Sequence, residues 1–205
     1  MRVIFLLLLF ASCSQSKFSR GITQNFTTHI DSLKFLKSYP FDKKKNLLLI
    51  FSKRGGSYDA QWGIIANEKN DWFKIVERFY TSAKPGESHY VFERTSLDKR
   101  AAKKVVDEFL KNKIWEINPK DDGCLDSERR LDEKGYPLAC GLYDGFRYEL
   151  YLIKDGKAMW FHYYEPRYWE TANCCPGNKD RQAFIKCFDA ISALFDPEDM
   201  KSKPR

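Results

Sequence analysis

Asp155-Gly156 stands between two runs dense in aromatic and aliphatic residues, 147–154 and 157–164. Asp-Gly tolerates the positive φ angles of a tight type I′ turn, whose twist matches that of paired strands. That dipeptide therefore commits the segment to an antiparallel hairpin. A hairpin alone buries too little to be stable, so the rest of the chain must supply more strands or a covering layer. Residues 46–52 (NLLLIFS) read as a buried strand and residues 53–58 (KRGGSY) as a turn. Residues 61–67 and 72–79 read as a further hairpin across the polar stretch 68–71. After Lys84-Pro85-Gly86, residues 89–94 read as another strand.

Helical spacing marks three other segments. Over residues 27–38, Ile30, Leu33 and Leu36 recur on one side, Phe26 extends that side, and Pro40 stops the run. The strongest pattern follows the cap Asp98. Ala101, Ala102, Val105, Val106, Phe109 and Leu110 form one face, and Lys99, Lys103, Lys104, Asp107, Glu108 and Lys111 the other, until Asn112. In a last helix, residues 180–195, the apolar face is Phe184, Cys187, Phe188, Ile191, Leu194 and Phe195, and Pro197 ends it. Residues 118–135 and 165–178 read as long loops. The expected class is α+β: a largely antiparallel sheet with about three amphipathic helices packed on one face. Both halves run hairpin, Pro-Gly loop, helix, the order a decayed hairpin–loop–helix duplication would leave. Few identities align, however, and chance explains the order better.

At 205 residues, with 43% hydrophobic residues, 11 Gly and 8 Pro, the chain is neither disordered nor collagen-like. Its length fits one domain, or at most a domain and a half. No stretch approaches the ~20 apolar residues of a membrane-spanning helix. The chain opens Met1-Arg2, runs apolar over residues 3–10, and turns small at Ala11-Ser12, which are the parts of an export signal. Phe10-Ala11-Ser12-Cys13 resembles the lipobox of bacterial lipoproteins, with Phe10 where Leu is usual. The resemblance implies cleavage before Cys13, acyl chains such as palmitate on its thiol and new amino terminus, and anchoring in the cell envelope. Ser14, rather than Asp, after Cys13 favours the outer membrane by the same resemblance. The chain then divides into a signal peptide (1–12), a lipidated tether (13–25), a single α+β domain (26–198) and a basic tail (199–205). Ordinary secretion with cleavage near Ala11, or a buried N-terminal strand, are the alternatives. The polar run 14–19 fits a tether better than a strand.

The formal charge is +7, and losing residues 1–12 removes only Arg2. A sequence pI near 9.0 raises the question of nucleic acid. Yet the basic residues are dispersed among acids, so no nucleic-acid partner is expected. For an exported protein the nearer anions are lipid headgroups and acidic glycans, and most such charge merely keeps a surface solvated. Besides Cys13 there are Cys124, Cys140, Cys174, Cys175 and Cys187. Outside the cytosol these read as disulfide cysteines, and the odd one is free or joins another chain. The expected pairs are Cys124–Cys140, and Cys187 with Cys174 or Cys175. Closing a loop near 15 residues is worth about 3 kcal/mol. A strained Cys174–Cys175 bridge stays open, since spacing does not fix connectivity.

No motif points to a cofactor or a metal. His29, His89 and His162 are scattered, and Arg54-Gly55-Gly56-Ser57 lacks the rest of a phosphate loop. Asp121, Asp122, Asp126 and Glu128 crowd one loop without calcium-loop spacing. Asp144, Glu149, Glu165 and Glu170 offer carboxylates for a glycosidase pair, but nothing fixes their separation. The densest feature is WFHYYEPRYW, residues 160–169. Its strand puts Trp160, His162 and Tyr164 on one face and Phe161 and Tyr163 on the other. With Glu165, Arg167, Tyr168 and Trp169 beyond it, this is the candidate ligand surface, set against the plainer reading of an aromatic core. The expected role is a non-catalytic, membrane-anchored domain that binds a ligand, with a glycan or an envelope protein as partner. The alternative is an envelope glycan hydrolase using carboxylates near the aromatic strand.

Overall fold

A computed structural model describes residues 28–29, 47–55, 58–68, 71–80, 89–124, 129–136, 145–155, 157–171 and 175–196. Strands β1 (Thr28–His29), β2 (Leu47–Gly55), β3 (Tyr58–Glu68), β4 (Asp71–Tyr80) and β5 (His89–Leu97) precede helix α1 (Lys99–Lys111). A 3-10 turn (Ile114–Glu116) and β6 (Lys120–Asp121) lead to β7 (Phe146–Lys154) and β8 (Lys157–Tyr164). Helices α2 (Pro166–Thr171) and α3 (Lys179–Ser192) close the order. The strands form one sheet in the order β1-β8-β7-β2-β3-β4-β5, and β6 also lies against β8. Every pairing is antiparallel except β6 with β8. The protein is α+β, as the sequence predicts.

The Asp-Gly hairpin forms in the expected register, with Lys154 opposite Lys157 and Asp155 at a φ of 52°. Asp98 caps α1 as expected, its Oδ1 accepting from the amides of Arg100 at 2.9 Å and Ala101 at 3.0 Å. Other expectations fail. Residues 53–55, expected in a turn, continue β2 and pair with Tyr148, Arg147 and Phe146, and Tyr58 already belongs to β3. Thr28 and His29 pair as a strand with Ala158 and Lys157, so a helix does not begin at residue 27; the rest of that segment lies outside the described residues. The loop expected over 165–178 contains α2, because Pro166 opens a helix rather than breaking one. Proline's missing N–H costs nothing at the first helical position, and its fixed φ is already helical.

Strand alternation sorts the core into two faces. Leu49, Phe51, Ile65, Tyr148, Leu150, Leu152 and Phe161 point to the face where α1 and α3 pack, meeting Val105, Phe109, Phe184, Phe188 and Ile191. Phe184 stacks on Tyr163 at 4.1 Å between ring centroids, and Phe188 sets its edge against Phe51 and Tyr148. On the other face Ile50, Ile64, Ile75, Tyr151 and Ile153 are buried as well. The central strands β2 and β7 are thus buried on both faces over 49–51 and 150–153, which explains why β2 reads as a continuous apolar run rather than an alternating one. No helix among the described residues is long and apolar enough to cross a membrane.

Candidate functional site

Polar groups interrupt this second face at one end of the sheet. Register places Ser52 beside Glu149 and Glu149 beside His162, in a row across β2, β7 and β8. Ser52 and Glu149 are both buried, and the Ser52 hydroxyl donates to Glu149 Oε2 at 2.7 Å. His162 is half-buried, and its Nδ1 is enclosed without a hydrogen-bond partner. Burial lowers its pKa below the ordinary imidazole value; Asp122 and Glu149 oppose that shift, and Arg147 and Lys120 reinforce it. The next row holds Tyr151 and Trp160, with rings nearly parallel at 8° and centroids 5.9 Å apart. Trp160 also contacts the His162 ring at 4.6 Å. The indole is 40% exposed, unusual for the largest side chain in a sheet. Tyr151, Trp160 and His162 thus form an aromatic ladder open to solvent at its centre and bordered by charge.

The remaining candidates from the sequence do not join it. The Tyr164 hydroxyl accepts from the Gly145 amide at 3.0 Å. Glu165, at a φ of 42°, uses its carboxylate to accept from the Phe146 amide. Arg167 pairs with Asp189 on α3. Trp169 is buried, donates from Nε1 to the Tyr164 carbonyl at 2.9 Å, and meets the edge of Tyr168. These side chains fasten α2 to the end of the β7–β8 hairpin and, through Arg167, to α3. Of the seven residues of the expected ligand surface, Trp160 and His162 belong to the ladder.

Sequence reading missed Lys120 and Asp122 beside His162, and Ser52 two strands away in the same row. Each lies far from it along the chain, and only the strand order brings them together. The histidines are not gathered: His29 pairs at the opposite end of β8 from His162, and His89 opens the far edge strand β5. Among the described residues, no group of three or more His, Cys, Asp or Glu is placed to hold a metal ion.

Behind this hairpin lies a second cluster. Cys124 is bonded to Cys175, with 5.9 Å between their Cα atoms. The expected Cys124–Cys140 pair is therefore replaced by a longer-range one. The turn Asp121–Gly123 swings Cys124 towards α2 and α3. Gly123 makes that approach at a φ of 119°, and a Cβ there would lie 2.9 Å from the Trp169 ring. The expected bridge from Cys187 to Cys174 or Cys175 is also corrected. Cys187 is a free, buried thiol, its Sγ 3.9 Å from the Glu108 carbonyl on α1. The helix from Lys179 to Cys187 rises about 12 Å, roughly twice the Cα separation a disulfide spans. Burial raises the Cys187 thiol pKa far above its usual range. Cys140 and Cys174 lie outside the described residues.

Arg181 on α3 is fully buried beside this disulfide. Its Nε donates to Asp121 Oδ2 at 2.6 Å, and one terminal nitrogen donates to Glu170 Oε1 at 3.3 Å and the Cys175 carbonyl at 3.0 Å. The other terminal nitrogen donates to the Gly123 carbonyl at 3.2 Å. A cleft of about 270 Å³ adjoins the cluster, lined by Asn118, Lys120, Asp121, Asp122, Tyr163 and Asp180 among others. Its acids are already engaged: Asp121 with Arg181, Asp122 with Lys120, and Asp180 with the Asn118 amide. The chain matches no protein-family model, and no curated protein matches it by sequence.

Proposed function

We propose that this chain is an exported, lipid-anchored protein of the bacterial cell envelope whose α+β domain binds a ligand without catalysis, with Trp160 and His162 as the binding surface. The signal-like start and the lipobox resemblance at Cys13 carry the anchoring. The Cys124–Cys175 bond supports export, since such bonds persist in oxidising compartments and are rare in the cytosol. The observation that carries binding is Trp160, held between Tyr151 and His162 yet 40% exposed. A fixed, open indole flanked by hydrogen-bonding groups suits the apolar face and polar rim of a sugar ring. An envelope glycan is therefore the favoured ligand, and an envelope protein the other class of partner. Two glutamates suited to hydrolysis are engaged elsewhere: Glu149 is buried against Ser52, and Glu165 holds the Phe146 amide. Both roles favour binding over turnover.

Titration of the purified chain with soluble peptidoglycan fragments, followed by tryptophan fluorescence and calorimetry, tests this reading. The account predicts saturable binding without product release, weakened about tenfold or more by Trp160→Ala. Binding indifferent to Trp160→Ala would overturn it. So would turnover of those glycans that Glu149→Gln abolishes.

A further inference from the structure

Arg181 takes no part in the Trp160–His162 surface, yet it is the most completely enclosed charge among the described residues, with no exposed surface. A guanidinium is buried at tolerable cost only when its N–H groups are filled and its charge is met. Its acceptors come from the two stretches that bear the bonded cysteines. Asp121 and the Gly123 carbonyl lie just before Cys124; Glu170 precedes Cys175, whose own carbonyl is the fourth acceptor. One side chain thus gathers both halves of the disulfide.

Chain statistics alone do not choose this bond. Cys124 pairs with Cys175 across a separation of 51 residues. Cys174 is adjacent in sequence, and loop-closure entropy separates the two by only about 3%. The much shorter loop to Cys140 is favoured over both by about sixfold. We propose that Arg181 is the positioning residue that selects Cys124–Cys175 over Cys124–Cys174 and Cys124–Cys140 during oxidative folding. The guanidinium docks both stretches before the bond closes. The two S–H bonds then give way to one S–S bond, and their protons and electrons pass to a disulfide oxidant such as oxidised glutathione, which leaves as two thiols. Hydrogen bonds to a charged group contribute enough to reverse a sixfold bias.

Full-length protein is reduced, unfolded and refolded in a glutathione redox buffer, and its bridges are mapped by fragmentation of unreduced peptides. Wild type should give Cys124–Cys175 in about tenfold or greater excess over either competitor. Folded Arg181→Lys should lose that excess, with Cys174 and Cys175 used about equally and Cys140 most. Wild-type pairing in folded Arg181→Lys overturns the proposal. A second variant, Cys124→Ser with Cys175→Ser, decides the matter even if Arg181→Lys does not fold. Docking that precedes the bond must survive without it, so hydrogen exchange at residues 120–123 should stay slow. Fast exchange there means the disulfide creates the Arg181 contacts, which also overturns the proposal.

Discussion

His162 shows how one side chain records its surroundings. Its Nδ1 is enclosed and unpartnered, so the neutral ring can leave a lone pair there, whereas protonation would bury an N–H with no acceptor. Burial is the leading cause of its lowered pKa, with Arg147 and Lys120 adding to it against Asp122 and Glu149. The sign follows from linkage: below the ordinary value of 6.5 the unfolded chain takes up a proton that the folded chain resists. The stability tied to His162 is whole above that value and is lost as pH falls from there through the lowered pKa of the folded state. Urea unfolding at pH 7.5 and 5.5 should therefore show a larger loss in wild type than in His162→Gln. Equal losses, or a smaller one in wild type, would mean that the ring is not held neutral by burial.

Among the elements, α3 and the turn after it sit closely on β2 and β3. Phe195, just beyond the end of α3, lies against Phe51 on β2, with ring centroids 5.0 Å apart. Gly63 on β3 leaves room for both rings, since a Cβ there would stand 2.5 Å from Phe195 and 2.7 Å from Phe51. Gly63→Ala should destabilise the protein by about 1–3 kcal/mol through overpacking, read as a lower urea midpoint with an unchanged slope. Stability equal to wild type would show that the rings yield freely. Elements were legible where local chemistry decides them: Asp155 marked the turn, Asp98 the cap, and the apolar stripe of α1 its buried face. They were illegible where pairing decides. Nothing local in Thr28-His29 announces a strand, and Pro166 reads as a breaker or a helix start according to what precedes it.

At the scale of the whole molecule, the sequence supplies the parts of the site but not its assembly. Trp160 and His162 were visible as a strand face. Ser52, Glu149, Lys120 and Asp122 reach them only through the order of β2, β7, β8 and β6, which alternation within a strand does not encode. The cysteines teach the same lesson. Short separations pointed to Cys124–Cys140 and to Cys187, whereas the fold joins Cys124 to Cys175 and leaves Cys187 inside the α1–α3 interface. A bond across such a distance ties the β6 turn to the segment before α3, and such bonds persist mainly in oxidising compartments. Export is thus the premise shared by the proposed anchor and the proposed envelope ligand, and the disulfide is its structural support. Intact-mass spectrometry of the protein drawn from the membrane fraction of its native host tests that premise most directly. The account predicts a chain that begins at an acylated Cys13 and lacks the thiol hydrogens of Cys124 and Cys175. An unprocessed, fully reduced chain that still begins at Met1 in the soluble fraction would contradict it.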